Sequence, residues 1–509
     1  MTAQNSINVP FRGLITVSIM LATIMQVLDT TIANVALPHM QGSLSATQDQ
    51  ISWVLTSYIL ASALLTLPTG WLSGRYGRKK VLVISIIGFV VASILCGMAT
   101  SISQMVIFRI IQGCSGAAMI PLSQSIMLDI NPKEKHGSAM ALWGMGIMIG
   151  PILGPTLGGY LTEFYNWRWV FLINIPIGLL ALIGVIAFMP DSERQERPFD
   201  GFGFITLSVM IACIQLILDR GEQVDWFSSK EILFYAAMIG SSLWMYSIHT
   251  WKTKHPFLSP EIFLDRNMLT SLFFIFFVGI ILLASMALLP PYMQNLMGYP
   301  VIDVGLLMAP RGMGIMVSMM IVGKLTDRMD SRILIFFGML CTMGSLYAMT
   351  FFSIYVPPGT LVWTGALQGF GLGFIFVPLN TIAYSTLAPR LRAEAASLFS
   401  LVRNLGSSVG VSIVTVMLTR NLQINHAYLS ENITATSLGI SWQQVPASIM
   451  ADAAGVLAML DAEITRQALT IAYINDFKLM MWVVMAATPL VLLFKNKPKA
   501  DATALTQTA

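Results

Sequence analysis

Residues 14–38 read LITVSIMLATIMQVLDTTIANVALP, an apolar run broken by a single charge, Asp29. A hydrocarbon core of roughly 30 Å is crossed by about 20 apolar residues in an α-helix, so this stretch is long enough to span. Similar runs recur almost to the C-terminus. The chain of 509 residues is 55% hydrophobic and only 11% charged, with mean hydropathy +0.72, whereas soluble domains carry about 25% charged residues. A β-barrel would instead show short segments of alternating polarity. The composition therefore specifies an all-α polytopic membrane protein. The first run is expected to be a span, being too long for a signal h-region and lacking a small-residue cleavage site.

Fourteen spans are predicted, near residues 14–38, 52–73, 79–99, 104–127, 137–162, 168–189, 202–218, 231–251, 268–291, 301–324, 332–354, 360–384, 394–419 and 476–494. An even number returns both termini to one side. Most of the 29 Lys and Arg residues then fall on that side, against Arg168, Arg220, Lys230, Arg420, Arg466 and Lys478 on the other. The positive-inside bias places both termini in the cytoplasm. Cys96, Cys114, Cys213 and Cys341 are scattered through spans and suggest neither a disulfide framework nor a metal site.

Two loops repeat. Gly70-Trp-Leu-Ser-Gly-Arg75-Tyr-Gly77-Arg78-Lys follows the second span, and Gly323-Lys-Leu-Thr-Asp327-Arg328-Met-Asp-Ser-Arg follows the tenth. Both read G-x-L-x-x-R with further basic residues, at the same place in a set of six helices. The expected organisation is a tail (1–13), a six-helix bundle (14–189), a linker with two extra spans (190–267), a second six-helix bundle (268–494) and a second tail (495–509). Parallel repeats of this kind let transporters rock one half against the other. The one long external segment, 420–475, is polar at first and then Ala- and Leu-rich, with a helix expected to lead into the last span.

Enzyme and nucleotide signatures such as GxxxxGK[ST], HExxH and GxSxG are absent, and no cofactor is expected. Transport would then run on an ion gradient or be passive. Asp29 is the candidate coupling group. On a helical wheel Thr23, Gln26, Thr30 and Asn34 form a stripe beside it that should face a cavity. An intramembrane carboxylate costs about 2.5–3.5 kcal/mol to insert, and one proton moved across the membrane releases about 2.3 kcal/mol per 100 mV. Asp29 is read either as the proton carrier or as half of a structural ion pair. Arg109, which shares a helix face with Gln112, Gly116 and Ser123, stays charged at any useful pH. It can tune a partner, hold an anion or be purely structural.

The fifth span carries Gly150, Gly154 and Gly158 at intervals of four, with Gly159, Pro151 and Pro155 among them. The glycines alone specify a close helix contact; the prolines add a bend and suggest a gate. The 34 methionines suit pliable apolar surfaces, a weak pointer to broad specificity.

Several of these stretches resemble the fourteen-span drug:proton antiporters of the major facilitator superfamily, and most closely the EmrB-type multidrug exporters. LDTTIANVALP (28–38) is similar to the first-span motif of that family, RIIQG (109–113) to the fourth-span motif, GPILGPTLGG (150–159) to the fifth-span antiporter motif and WRWVFLINIPIG (167–178) to the sixth-span signature. LDRGEQVDWFSS (218–229) looks specifically EmrB-like, and the likeness runs from Phe11 to Phe494. It implies a major facilitator fold and alternating access. It also implies Asp29 and Arg109 in proton coupling, a bacterial inner-membrane location, an EmrA-type periplasmic adaptor and a TolC-like outer-membrane channel. One departure stands out: the loop motif usually has an acid where this chain has Gly74, while the second copy keeps Asp327.

Arg311 and Arg403 also fall well inside spans, with Asp29 read as the only comparably deep acid. If both face the central cavity, its charge is positive whenever Asp29 is protonated, favouring amphiphilic weak acids over permanent cations. The leading reading is a multidrug exporter. The alternatives are dedicated export of a fatty acid or other metabolite, and a non-transporting membrane sensor or scaffold.

Overall fold

The computed structural model describes residues 11–132, 135–191, 198–222, 224–254, 256–326, 328–431 and 453–494. These form eighteen α-helices: α1 (Arg12–Ser43), α2 (Gln48–Thr66), α3 (Thr69–Tyr76), α4 (Arg78–Met98), α5 (Ile102–Gly116), α6 (Met119–Ile130), α7 (His136–Phe164), α8 (Trp169–Leu172), α9 (Asn174–Phe188), α10 (Gly201–Arg220), α11 (Lys230–Lys252), α12 (Pro260–Leu264), α13 (Arg266–Pro291), α14 (Val301–Leu325), α15 (Ser331–Met349), α16 (Pro358–Ala383), α17 (Arg392–Glu431) and α18 (Ala453–Ala487). No strand occurs among the described residues. By length and composition 13 helices can cross a membrane, and up to 14 when the bent pair α2–α3 counts as one span. Apolar side chains such as Ile84, Ile183, Trp244 and Phe273 point outward, as a hydrocarbon solvent permits.

Several spans are broken where proline removes a backbone donor. The second bends by 53° between α2 and α3, at Pro68. In the fourth, Pro121 has no N–H for the carbonyl of Ala117, and the break separates α5 from α6 there. The freed carbonyl accepts a hydrogen bond from Thr66 Oγ1 at 3.2 Å, so a neighbouring helix supplies what the proline withholds.

Helices α1–α9 form one bundle and α13–α18 the other, with α1 against α7 and α9, α2 against α5, α14 against α16 and α13 against α17. The bundles meet along two seams. On one, α7 lies against α14; on the other, α17 runs beside α2, α3 and α6. The extra pair α10–α11 pack on each other, and α10 also touches α2 and α17.

The glycines of the fifth span make the close contact the sequence specifies. A Cβ on Gly150 would lie 2.7 Å from Val27 Cγ1 and 2.9 Å from the Leu28 nitrogen; one on Gly158 would lie 3.2 Å from the Ile32 oxygen, and one on Gly154 would overlap Thr31. Thr31 Oγ1 donates to the Gly150 carbonyl at 3.1 Å, sealing α1 to α7. Gly159 has open space instead. Despite Pro151 and Pro155, α7 continues unbroken from His136 to Phe164. We expect Gly154→Leu to destabilise the protein by about 1–3 kcal/mol through overpacking and Gly159→Ala to be nearly silent, as read by thermal unfolding in detergent. Equal melting of the two variants would refute the assignment.

One boundary differs from that expected from sequence: helix α17 does not stop near residue 419 but continues to Glu431. Helix α18, which begins at Ala453, is the helix expected to lead into the last span. His426 Nε2 meets Asp461 Oδ1 at 3.0 Å, so the two run side by side. Polar sequence hid the end of α17 because hydropathy marks where a helix is in lipid, not where it ends.

Candidate functional site

Asp29 on α1 is completely buried, and so are Arg109 and Gln112 on α5, Ser93 on α4 and Asn174 on α9. Arg109 Nη1 donates to Asp29 Oδ2 at 2.6 Å. The other carboxylate oxygen accepts from Gln112 Nε2 at 2.9 Å and from Asn174 Nδ2 at 2.8 Å. The two amides also donate to Ser93 Oγ, at 2.8 and 3.2 Å. Arg109 is held further by Nε donating to the Val54 carbonyl at 3.0 Å and Nη1 to Gln112 Oε1 at 2.7 Å. Its guanidinium lies 4.2 Å from the centre of the Tyr58 ring. A carboxylate with one charged and two neutral donors is well compensated as an anion. Removing one partner of such a pair leaves an isolated buried charge, at a cost of about 3–5 kcal/mol.

Chemically, the arrangement can tie charge to packing: protonation of Asp29 would cancel the charge that holds Arg109 and turn one acceptor oxygen into a donor, disturbing the donors that α5 and α9 aim at it.

The polar stripe on α1 divides. Gln26 is buried beside Tyr58; Thr30 is half-buried and donates to the Val27 carbonyl at 2.7 Å; Asn34 is exposed. Of the residues aligned with Arg109, only Gln112 joins the cluster. Gly116 packs on Phe89, and Ser123, beyond the helix break, accepts from Trp143 Nε1 at 2.9 Å.

In the second bundle, Arg311 is buried, with Nη2 donating to Ser285 Oγ at 2.7 Å and to the Leu282 carbonyl at 3.3 Å, while Nη1 has no partner. Arg403 is half-buried beside Tyr384. The expectation that Asp29 is the only deep acid is overturned. Asp476 on α18 is fully buried, and neither of its carboxylate oxygens has a hydrogen-bond partner among the described residues. It stands at the first residue of the predicted last span, whereas α18 begins more than five turns earlier.

The basic-loop end of the molecule is closed by contacts between bundles. Asp129 at the end of α6 takes Arg78 from its own bundle and Arg392 Nη1 of α17 at 2.9 Å. Gln124 Nε2 donates to Asn380 Oδ1 at 2.5 Å, and Ser138 Oγ to the Gly323 carbonyl at 3.3 Å. Gly70 is required because a Cβ there would lie 2.7 Å from the Glu394 Cα. Gly77, at φ 90°, joins α3 to α4 in a conformation other residues avoid. Arg75 and Arg328 are exposed; Asp327 lies outside the described residues. A Cβ on Gly74 would meet nothing. Asp129 with Arg392 ties the two bundles at this end.

Sequence reading missed Asn174, Ser93 and Tyr58. Asn174 left a signal, being the one amide in the apolar run 169–188; Ser93 and Tyr58 left none, since such residues are common in spans. Among the described residues, no group of His, Cys, Asp and Glu could hold a metal ion.

Comparison with known proteins agrees with this arrangement. The Major Facilitator Superfamily model matches residues 19–411. The chain is 35% identical over 423 residues to the multidrug export protein EmrB of Escherichia coli K12, covering 82% of this chain and 83% of that protein. It is 35% identical over 430 residues to the fatty acid resistance protein FarB of Neisseria gonorrhoeae, covering 83% and 84%. In fold it is similar to the human organic anion transporter MFSD10, with a TM-score of 0.60 at 14% identity over 93% of this chain and 100% of that one.

Proposed function

The chain belongs to the major facilitator superfamily, among the relatives of the EmrB multidrug export proteins, and from that premise we propose that it is a proton-coupled antiporter exporting amphiphilic drugs. The observation that carries this reading is the sealed Asp29–Arg109 pair with its Gln112, Asn174 and Ser93 partners. Four spans converge on one exchangeable proton site, and nothing about packing alone calls for a charge there.

By the positive-inside rule the basic-loop end is cytoplasmic, and the bacterial inner membrane is the location. The conformation is then closed to the cytoplasm through Asp129, Gln124 and Ser138. In alternating access a proton enters Asp29 from outside, releases Arg109 and lets the cytoplasmic contacts part. Gly150, Gly154 and Gly158 keep α1 and α7 moving as one. The extensions of α17 and α18 project on the other face, where an EmrA-type adaptor linked to a TolC-like channel would dock.

The substrate preference follows from charge. Arg109 is neutralised by Asp29, whereas Arg311 and Arg403 form no ion pair among the described residues. We infer that a transport cavity opening beside them would favour acidic amphiphiles over quaternary cations. The second reading, a dedicated fatty acid exporter, rests on the same two arginines and on the likeness to FarB.

The test is purified protein in liposomes with an imposed pH gradient, following a fatty acid, an acidic drug and a cationic dye. Gradient-driven flux of both acids supports multidrug export; flux of the fatty acid alone selects the dedicated exporter. We expect Arg311→Gln with Arg403→Gln to lower acid flux about tenfold and to leave cation flux unchanged or raised. Preferred transport of the cation by wild type would overturn the substrate class. Flux indifferent to the gradient would overturn antiport.

A further inference from the structure

Three helix faces of the second bundle share one pattern. On α14, Arg311 is followed at intervals of four by Ile315 and Met319; on α16, Gln368 is followed by Leu372 and Phe376; on α13, Val278 and Leu282 lead to Ser285. Residues at such spacings lie on one face of a helix. The apolar members line a small cavity, which Met148 of α7 closes from the first bundle. Helix α13 leaves the basic-loop end while α14 and α16 run toward it, so Arg311, Gln368 and Ser285 all fall at the far end of that cavity.

All three polar residues are buried. Ser285 Oγ donates to the Ile281 carbonyl at 2.6 Å and accepts from Arg311 Nη2 at 2.7 Å. Nη2 also donates to the Leu282 carbonyl at 3.3 Å, so that side of the guanidinium is anchored. Nη1 has no partner among the described residues, and neither Nε2 nor Oε1 of Gln368 has one. The two helices touch here: a Cβ on Gly369, next to Gln368, would overlap the Arg311 carbonyl, and one on Gly365 would lie 3.6 Å from the Arg311 Cβ. Burying donors without acceptors is costly, and packing alone gives no reason for two of them on facing helices.

Toward the basic-loop end the cavity is apolar and shut. The Trp143 and Phe376 rings stack at 6.1 Å, and a Cβ on Gly144 would lie 3.0 Å from Met319 Sδ. The cavity holds about 10 Å³, room for about one water. Its first-bundle wall moves away when the bundles part, whereas Arg311, Gln368 and Ser285 belong to one bundle and stay together.

We propose that Arg311 Nη1 and Gln368 Nε2 form a two-donor seat for the anionic head of an exported amphiphile, whose chain enters the slot beside Leu282, Leu372 and Met148, and that residue 368 sets the sign of charge the seat accepts. Two donors match the two oxygens of a carboxylate; a quaternary ammonium offers them no acceptor. The proposal rests on the export reading and narrows its substrate class to one site, in which Arg403 takes no part.

The experiment is binding to purified full-length protein in nanodiscs, which needs no gradient and no flux. The probes are dodecanoic acid and a trimethylammonium of the same chain length, each with a diazirine near the methyl end, and half-saturation of photolabelling is read for each. Adducts are expected on peptides bearing Met148, Met319 or Phe376. Arg311→Gln and Gln368→Leu should each weaken the acid probe about tenfold, and Arg403→Gln should change it less than about twofold. Gln368→Glu would pair with Arg311 and neutralise the seat. It should weaken the acid about tenfold yet bind the cation more tightly than wild type does, a gain that misfolding does not produce. Adducts elsewhere, acid binding unchanged in Arg311→Gln and Gln368→Leu, weakening by Arg403→Gln alone, or retained acid preference in Gln368→Glu would overturn the proposal. Flux that ignores the pH gradient alongside the expected binding would count against antiport and support the seat.

Discussion

Asp29→Asn is expected to abolish pH-gradient-driven export while leaving substrate binding intact. Asparagine keeps the shape of the side chain and can accept from Arg109 through its one oxygen; what is lost is the site that gains and releases a proton, together with the counterion of a buried arginine. Arg109→Ala strands the opposite charge. It leaves Asp29 buried with only the amides of Gln112 and Asn174. Either single change costs about 3–5 kcal/mol and should lower the unfolding temperature as well as flux. Combining Asp29→Asn with Arg109→Gln removes both charges and should recover most of the stability but none of the coupling. The measurements are proteoliposome flux, ligand binding and thermal unfolding of the four proteins. Gradient-driven export by Asp29→Asn at the wild-type rate would move coupling elsewhere, Asp476 being the other buried acid.

The second large effect is expected at Asp129. Its carboxylate is shared by Arg78 and Arg392, with 27% of the side chain exposed. Asp129→Asn leaves two cations facing each other across the closed basic-loop end, with Gln124–Asn380 and Ser138–Gly323 still joined. Discounted for partial solvent screening, the loss is about 1–2 kcal/mol, roughly a five- to thirtyfold shift toward the inward-open conformation. Spin labels at Arg75→Cys and Arg328→Cys, both exposed positions, would report it as a longer population in pulsed distance measurements. Wild-type distances in Asp129→Asn would mean that apolar packing, not this ion triad, holds the end closed.

These two sites differ in how far sequence reveals them. Asp29 and Arg109 stand out because each is a charge in an apolar run, and the energetic cost of placing a charge in lipid marks both positions from hydropathy alone. Asp129 and Arg392 do not stand out, since charges at span ends are ordinary. Their pairing joins residues 263 apart in the chain and exists only once the bundles close. The absent acid at Gly74 was legible as a departure; the tie through Asp129 and Arg392 was not.

The sequence by itself determined the class of fold, the approximate spans and the charges Asp29, Arg109 and Arg311 that lie buried within them. Hydropathy and charge are local quantities, and the bilayer reads them one segment at a time. It could not determine whether Asp29 faced a cavity or an arginine, because a helical wheel gives direction about one axis and says nothing of what stands opposite. Nor could it show that α17 runs on to Glu431, that Asp476 is enclosed, or that α10 touches both bundles. Each of these depends on packing between distant segments, and only the tertiary structure decides it.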